Sequence, residues 1–192
     1  MTLAQIMTLA LRQLDEDPED ISEYDDLFRV YANQGYRIAV DDYFKPRETR
    51  QARSDAQGMI YLDADVRRVV ELREKLDGDK IRRNALLVLS PDGTALITEY
   101  PDKEYILVCE VSSSDMERGN DEPDKLPQAA HAALADYICF RHLSNGNMAK
   151  QAKAQFYQQQ FYQTMQRLRP QGFGSVRNFT NLYAATDIRR VR

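Results

Sequence analysis

The sequence predicts an α+β fold: a helical bundle made of two helix pairs, an inserted β-rich subdomain and an extended C-terminal arm. Three observations predict it. Apolar residues recur at steps of three and four in 1–44 and again in 125–169, as on helices with one buried side. Between these stretches, 45–124 holds short β-branched and aromatic runs separated by turn residues. Beyond Arg169-Pro170 the helical pattern stops, and Pro170, Gly172 and Gly174 oppose its return in 170–192.

Leu3, Ile6, Met7, Ala10 and Leu14 form one helical stripe, with Thr2 placed to cap it. Asp15 to Asp20 is an acidic, proline-containing link. Ser22 and Asp25 have the spacing of a capping box. They open a second helix whose expected apolar face holds Leu27, Val30, Tyr31 and Ile38, with Gly35 leaving room for close packing. Two helices joined by so short a link are expected to pack antiparallel.

From Lys45 to about Asp124 strand signals dominate. Expected strands are 59–62, 66–72, 85–89, 95–97 and 105–111, rich in residues that suit a pleated surface. Asp77-Gly78, Pro91-Asp92-Gly93 and Pro101-Asp102 mark turns, and Ser90 to Thr94 between two apolar runs predicts a hairpin. Ser112 to Lys125 is polar and reads as a loop. Helical spacing returns at Leu126-Pro127, with Ala130, Ala133, Leu134, Tyr137, Ile138 and Arg141 on one face. Ser144 to Asn147 breaks this helix, and Gly146 suits a left-handed cap. A last helix over 148–168 carries the stripe Ala154, Tyr157, Phe161, Met165 and Leu168.

The 192 residues fit one domain, or one domain with an insertion, and a chain of this length holds together without a metal or disulfide. Apolar content of 43% and charged content of 29% are ordinary for a globular protein. No apolar run reaches the roughly 20 residues that span a bilayer. The opening residues lack a basic region and a cleavage-like end, so no signal peptide is expected. Cys109 and Cys139 sit inside apolar patterns and read as buried free thiols, which suits a reducing compartment. A net charge of −4 argues against a dedicated duplex binder, because such affinity comes mainly from neutralising phosphates.

Sites for chemistry are scarce. There is no phosphate loop, HExxH, CxxC pair or G-x-S-x-G, and only two histidines. No cofactor, metal or catalytic group is assigned, and the chain reads as non-enzymatic. His131, Cys139 and His142 fall on one expected helix and are better explained as packed or solvent-facing residues than as metal ligands. Asp15, Glu16, Asp17, Glu19, Asp20, Glu23, Asp25 and Asp26 place eight carboxylates in twelve residues, without the glycine of a calcium loop. They fit either a solvated link with favourable charge at a helix start, or a negative surface that repels DNA or receives a neighbouring subunit's arginines. Lys150, Lys153, Arg167 and Arg169 flank a helix rich in glutamine (Gln151, Gln155, Gln158, Gln159, Gln160, Gln163, Gln166), an ordinary polar face or a subunit contact.

The arm is too apolar for a solvated tail, since disordered segments are poor in aromatic and β-branched residues. Phe173, Val176, Phe179, Leu182, Tyr183, Ile188 and Val191 lie along it. Arg177, Arg189, Arg190 and Arg192 against Asp187 give it a formal +3, which leaves −7 on the other 169 residues of a chain at −4. Such an arm either folds back on its own domain or becomes ordered on another molecule.

Together these segments resemble phage head-to-tail connector proteins of the adaptor kind. A short first helix and an acidic link lead to a second helix with an N-x-G/A-x-R-I/V core, here Asn33, Gly35, Arg37 and Ile38. The β-rich middle resembles the family's inserted strands. Leu126, Pro127, His131, Ala133, Leu134 and Tyr137 match an L-P-x-x-x-H/Y-x-A-L-x-x-Y pattern, followed by a small-residue turn and another helix. An extended arm closes the order.

The resemblance implies a structural protein of the virion neck, present in the host cytoplasm during assembly. It implies a homo-oligomeric ring, usually dodecameric, below the portal, which extends the DNA channel and joins a tail or neck protein. DNA would pass without sequence-specific binding, and no membrane is involved. In such adaptors the arm reaches onto the portal. Phe173, Val176, Phe179, Leu182, Tyr183 and Ile188 are then expected as apolar contacts, and Arg177, Arg189, Arg190 and Arg192 as partners of portal carboxylates. Asp15 to Asp26 is expected to face the bore or an adjacent subunit. The alternatives are a tail-completion or tail-terminator protein, or a DNA-packaging accessory that binds nucleic acid.

Overall fold

Local capping fixes where the first helix starts and stops. The computed structural model describes residues 1–17, 21–76, the backbone of 81–83, and 88–170. Helix α1 (Leu3–Leu14) opens on Thr2, whose hydroxyl accepts from the Gln5 N–H while the Gln5 side chain accepts from the Thr2 N–H. Asp15 ends it in the left-handed region at φ 62°, its N–H donating to the Arg12 and Leu11 carbonyls. The expected cap and stripe are both present.

Helix α2 (Ile21–Ile38) buries a different face from the one expected. Phe28, Ala32, Gly35 and Tyr36 face the core, whereas Leu27 and Val30 are 44% and 51% exposed. The reason is packing distance. Gly35 sits so close to the helix carrying Tyr137 that a Cβ there would lie 2.9 Å from the Tyr137 ring. That seam needs small residues, and small residues carry little apolar weight in a periodicity. Tyr31 and Ile38 are half-buried at its edge. Ser22 lies within the helix rather than at its cap. The chain continues through a π-helical turn, Ala39–Phe44, and Lys45 stops it at φ 45°.

Seven strands follow among the described residues: β1 (Arg47–Arg53), β2 (Met59–Tyr61), β3 (Val66–Lys75), β4 (Ile81–Arg83), β5 (Val88–Leu89), β6 (Ala95–Ile97) and β7 (Glu104–Val111). They form two antiparallel sheets, ordered β1-β7-β3-β4 and β2-β6-β5. Strand β7 alternates strictly, burying Tyr105, Leu107, Cys109 and Val111. Ile60, Leu72, Leu96, Tyr105 and Leu107 make a small core of their own.

The expected hairpin is present: Gly93 takes φ 73°, and its N–H donates to the Ser90 carbonyl between β5 and β6. Asp102 turns the chain into β7 at φ 55°. Strand β1 was not expected, because RETRQAR carries no apolar run. It forms as an edge strand whose ladder to β7 pairs Arg47 with Glu110 through to Arg53 with Glu104. The Asp77-Gly78 turn and positions 85–87 of the expected 85–89 strand lie outside the described residues.

The second helix pair closes the bundle. Helices α3 (Gln128–His131) and α4 (Ala133–Leu143) are separated only at Ala132, and α5 spans Met148–Leu168. Helix α4 is the centre, packed against α1, α2 and α5. It buries Ala133, Leu134, Ala135, Tyr137, Ile138, Cys139 and Leu143, which is more than one face. Arg141, expected on the buried side, instead holds its guanidinium 5.5 Å from the centre of the Tyr31 ring, a cation–π contact. Gly146 does not adopt the left-handed conformation; among the described glycines only Gly58 and Gly93 have positive φ. The turn ends on Asn147, whose side chain accepts from the Lys150 N–H to cap α5. The α5 stripe is as expected: Ala154, Phe161 and Met165 are buried, and Tyr157 and Leu168 pack at the edge.

Candidate interaction surfaces

Two of the segments that carry the family resemblance meet in space. Asn33 on α2 holds the backbone of Met116 at both ends: its amide donates to the Met116 carbonyl at 3.1 Å and accepts from the Met116 N–H at 2.9 Å. Met116 itself joins the bundle core. Tyr36 donates to Asp124 at 2.7 Å and accepts from the Lys125 N–H at 3.0 Å. Burial, with Asp124 beside it, pushes the Tyr36 hydroxyl pKa well up. Arg37 grips Asp115 through two guanidinium nitrogens, and that hydrogen-bonded carboxylate raises the Arg37 pKa. The return segment 112–124, read from sequence as part of the insertion, is therefore fastened to α2.

His131, the last residue of α3, links the Leu126 carbonyl to the Met1 amino group. The Leu126 carbonyl can only accept, so Nε2 donates to it at 3.2 Å. The Met1 amino group lies 2.9 Å from Nδ1, which accepts.

Ion pairs fasten the root of the insertion. Lys125 of the return segment pairs with Glu48 on β1. Arg50 reaches Glu48, Asp63 and Asp65, and Arg67 on β3 meets Asp41 of the π-helical turn at 2.7 Å. The Glu48 pKa is lowered chiefly by its hydrogen bond from Lys125 and then by Arg50, and that of Asp65 by Arg50. Arg50 is correspondingly raised. A backbone bond from Val111 N–H to the Pro46 carbonyl, 3.1 Å, joins the two ends of the insertion.

A polar cluster lies where α1, α4 and α5 meet. Gln13 donates to Asp136 at 3.1 Å and accepts from the Cys139 thiol at 3.2 Å, while the Tyr157 hydroxyl donates to the Gln13 carbonyl at 2.7 Å. Desolvation raises the Asp136 pKa to about 6 and the Cys139 thiol to about 12. Cys109 is also a buried free thiol, raised by burial.

His142 packs among aromatic rings. Its ring stands edge-on to Tyr24 and Phe28 at 5.7 and 5.6 Å, and burial lowers its pKa. Among the described residues no group of three His, Cys, Asp or Glu side chains is placed to hold a metal.

The acidic link divides into separate environments. Asp15 caps α1, Glu16 and Asp17 are exposed, and Glu23 lies in the first turn of α2. Asp25 and Asp26 share Arg29 within the same helix, Asp26 at 3.6 Å. Glu19 and Asp20 lie outside the described residues. So do Phe173, Val176, Arg177, Phe179, Leu182, Tyr183, Ile188, Arg189, Arg190 and Arg192 of the arm.

Helix α5 presents Gln151, Gln155, Gln159, Gln160, Gln163 and Gln166 to solvent, with Lys150, Lys153, Arg167 and Arg169 also exposed. Sequence reasoning missed two large apolar side chains on the outside of this helix, Met148 at 87% and Phe156 at 57% exposure. The signal was available, since Phe156 falls outside the 154-157-161-165-168 stripe. Leu27 and Val30 on α2 were missed as exposed because their apolar character assigned them to the core.

No helix among the described residues is long and apolar enough to cross a membrane. No protein-family model matches the chain, and no curated protein matches it.

Proposed function

We propose that this chain is a head-to-tail adaptor of a phage neck, a structural virion protein that forms a ring below the portal, extends the DNA channel and joins the tail. The observation that carries this reading is the meeting of two of the resembling segments. The Asn33–Ile38 core and the Leu126–Tyr137 core pack on one another at Gly35 and Tyr137, and Asn33 and Tyr36 of the first hold the return segment of the insertion. Patterns that match a family by residue type gain weight when they build one unit in space.

Charge supports the same reading. A chain that surrounds passing DNA must not grip phosphate, and the −7 outside 170–192 meets that need. The basic, aromatic arm supplies the residue types that anchor interfaces, aromatic and arginine side chains above all. Asp15 to Asp26 then faces either the bore or a neighbouring copy.

Truncation before Pro170 tests the proposal. The shortened chain keeps α1 to α5, so it is expected to stay folded by circular dichroism and to lose binding to purified portal in a pull-down. Undiminished portal binding by the truncated chain overturns the role of the arm. Capture by tail-tube protein in place of portal would favour a tail-completion or terminator protein, and retention of duplex DNA on a filter at about 0.1 M salt a packaging accessory.

A further inference from the structure

Helix α4 separates α2 from α5, and each of these flanking helices turns outward a face that the described residues leave uncovered. On α2 that face holds Glu23, Leu27, Val30 and the half-buried Gln34, at steps of four, three and four. On α5 it holds Lys153, Phe156, Gln159, Gln160, Gln163 and Arg167. Helix α5 contains no carboxylate over its 21 residues. The α2 face is acidic at its N-terminal end, where exposed Glu23 lies on it and fully exposed Asp26 stands at its edge, 3.6 Å from Arg29. Among the described residues, Glu23, Lys153 and Arg167 form no ion pair.

From these opposite charges and exposed apolar groups we infer that the α5 face of one copy docks on the α2 face of a second copy, Phe156 covering Leu27 and Val30. The inference rests on the ring reading above and names the surfaces that would build it. The complementarity selects the partner. Two α5 faces together would set Lys153 and Arg167 against their own kind, and two α2 faces would do the same with carboxylates. Pairing unlike faces is a head-to-tail contact, which closes into a ring when the rotation between copies allows. The apolar side chains supply the burial, the glutamines hydrogen-bond without desolvating an ion, and the outer charges set orientation and rate of encounter.

Mixed cross-linking of the full-length chain tests this. One preparation carries Leu27→Cys and a second Phe156→Cys; native Cys109 and Cys139 are buried and stay silent. A disulfide-linked pair is expected in the mixture and in neither preparation alone. Glu23→Lys is expected to weaken self-association in sedimentation, and adding Lys153→Glu to the same chain to restore it. A chain that associates yet gives no mixed disulfide, or gives one in either preparation alone, overturns this pairing and leaves the ring reading standing. A chain that never self-associates, with or without portal, overturns both.

Discussion

The helical body and the inserted sheets are held together by different forces. The body buries Phe28, Tyr36, Leu134, Ile138, Phe161 and Met165 around α4, all almost fully removed from water. Among its described residues the insertion has Ile60, Leu72, Leu96, Tyr105 and Leu107 as its apolar centre, and it relies on the β1-β7-β3 ladder and on the ion pairs at its root. Apolar burial is indifferent to salt and to protons near neutrality, whereas exposed ion pairs are weak singly and are screened. One chain thus joins a platform held by apolar burial to a projection whose root responds to charge screening.

The largest expected effect attacks the platform. Phe161→Ala removes a ring that touches Tyr137 and Tyr162 at 5.0 and 5.2 Å between centres. A loss of about 3–5 kcal/mol is expected, read by urea unfolding of the helical signal. A loss no larger than that of an exposed substitution would show that the platform is not the stable half.

A smaller effect separates the halves by pH. Asp136 has its pKa raised to about 6, so its charged form costs stability, and that cost grows as pH rises from about 4 through 6. Asp136→Asn is expected to stabilise the body by about 1–2 kcal/mol at pH 8, allowing for solvent screening at the helix surface, and to have little effect at pH 4. His142 acts oppositely: its lowered pKa favours the neutral ring, so stability falls as pH drops below about 6.5. At the root of the insertion, Glu48 and Asp65 are depressed, so their contribution is present above the ordinary carboxylate pKa and is lost as pH falls through their lowered values. Mildly acid solution therefore relieves Asp136 while leaving the root intact, and only stronger acid loosens the root.

The smallest effect concerns that root. Arg50→Met removes the guanidinium shared by Glu48, Asp63 and Asp65. A global loss of only about 0.5–1 kcal/mol is expected, with faster amide exchange in β1 and an unchanged helical body. Equal acceleration of exchange in α4 would show that the two halves unfold as one.

How legible each part was follows from how local its causes are. The limits of α1 and α5 were readable because Thr2, Gln5 and Asn147 cap helices within three residues of their own positions. The hairpin at Pro91 to Gly93 was readable for the same reason. Strand β1 was not, because a strand of arginines, glutamate and glutamine gains its place only from β7. The buried face of α2 was misread in part: Leu27 and Val30 lie outside it, while Gly35, expected at a close approach, packs on Tyr137 about a hundred residues away in the chain. The clamp at Asn33 was quoted as a motif without its purpose, since its partner Met116 is 83 positions distant. The acidic link was legible as composition, but not its division between a helix cap, an exposed stretch and two carboxylates that share Arg29.

The hydrogen bond between Val111 and Pro46 has a consequence for how such a chain can change over generations. It brings the stem of a sixty-odd-residue excursion to within a single peptide's reach, and above that stem the Arg67–Asp41 pair ties the excursion to the helical base. Shortening, lengthening or exchanging whatever lies beyond these ties need not disturb the scaffold, because loop closure grows only slowly more costly with length. A lineage can re-tailor its projecting part while inheriting the base unaltered.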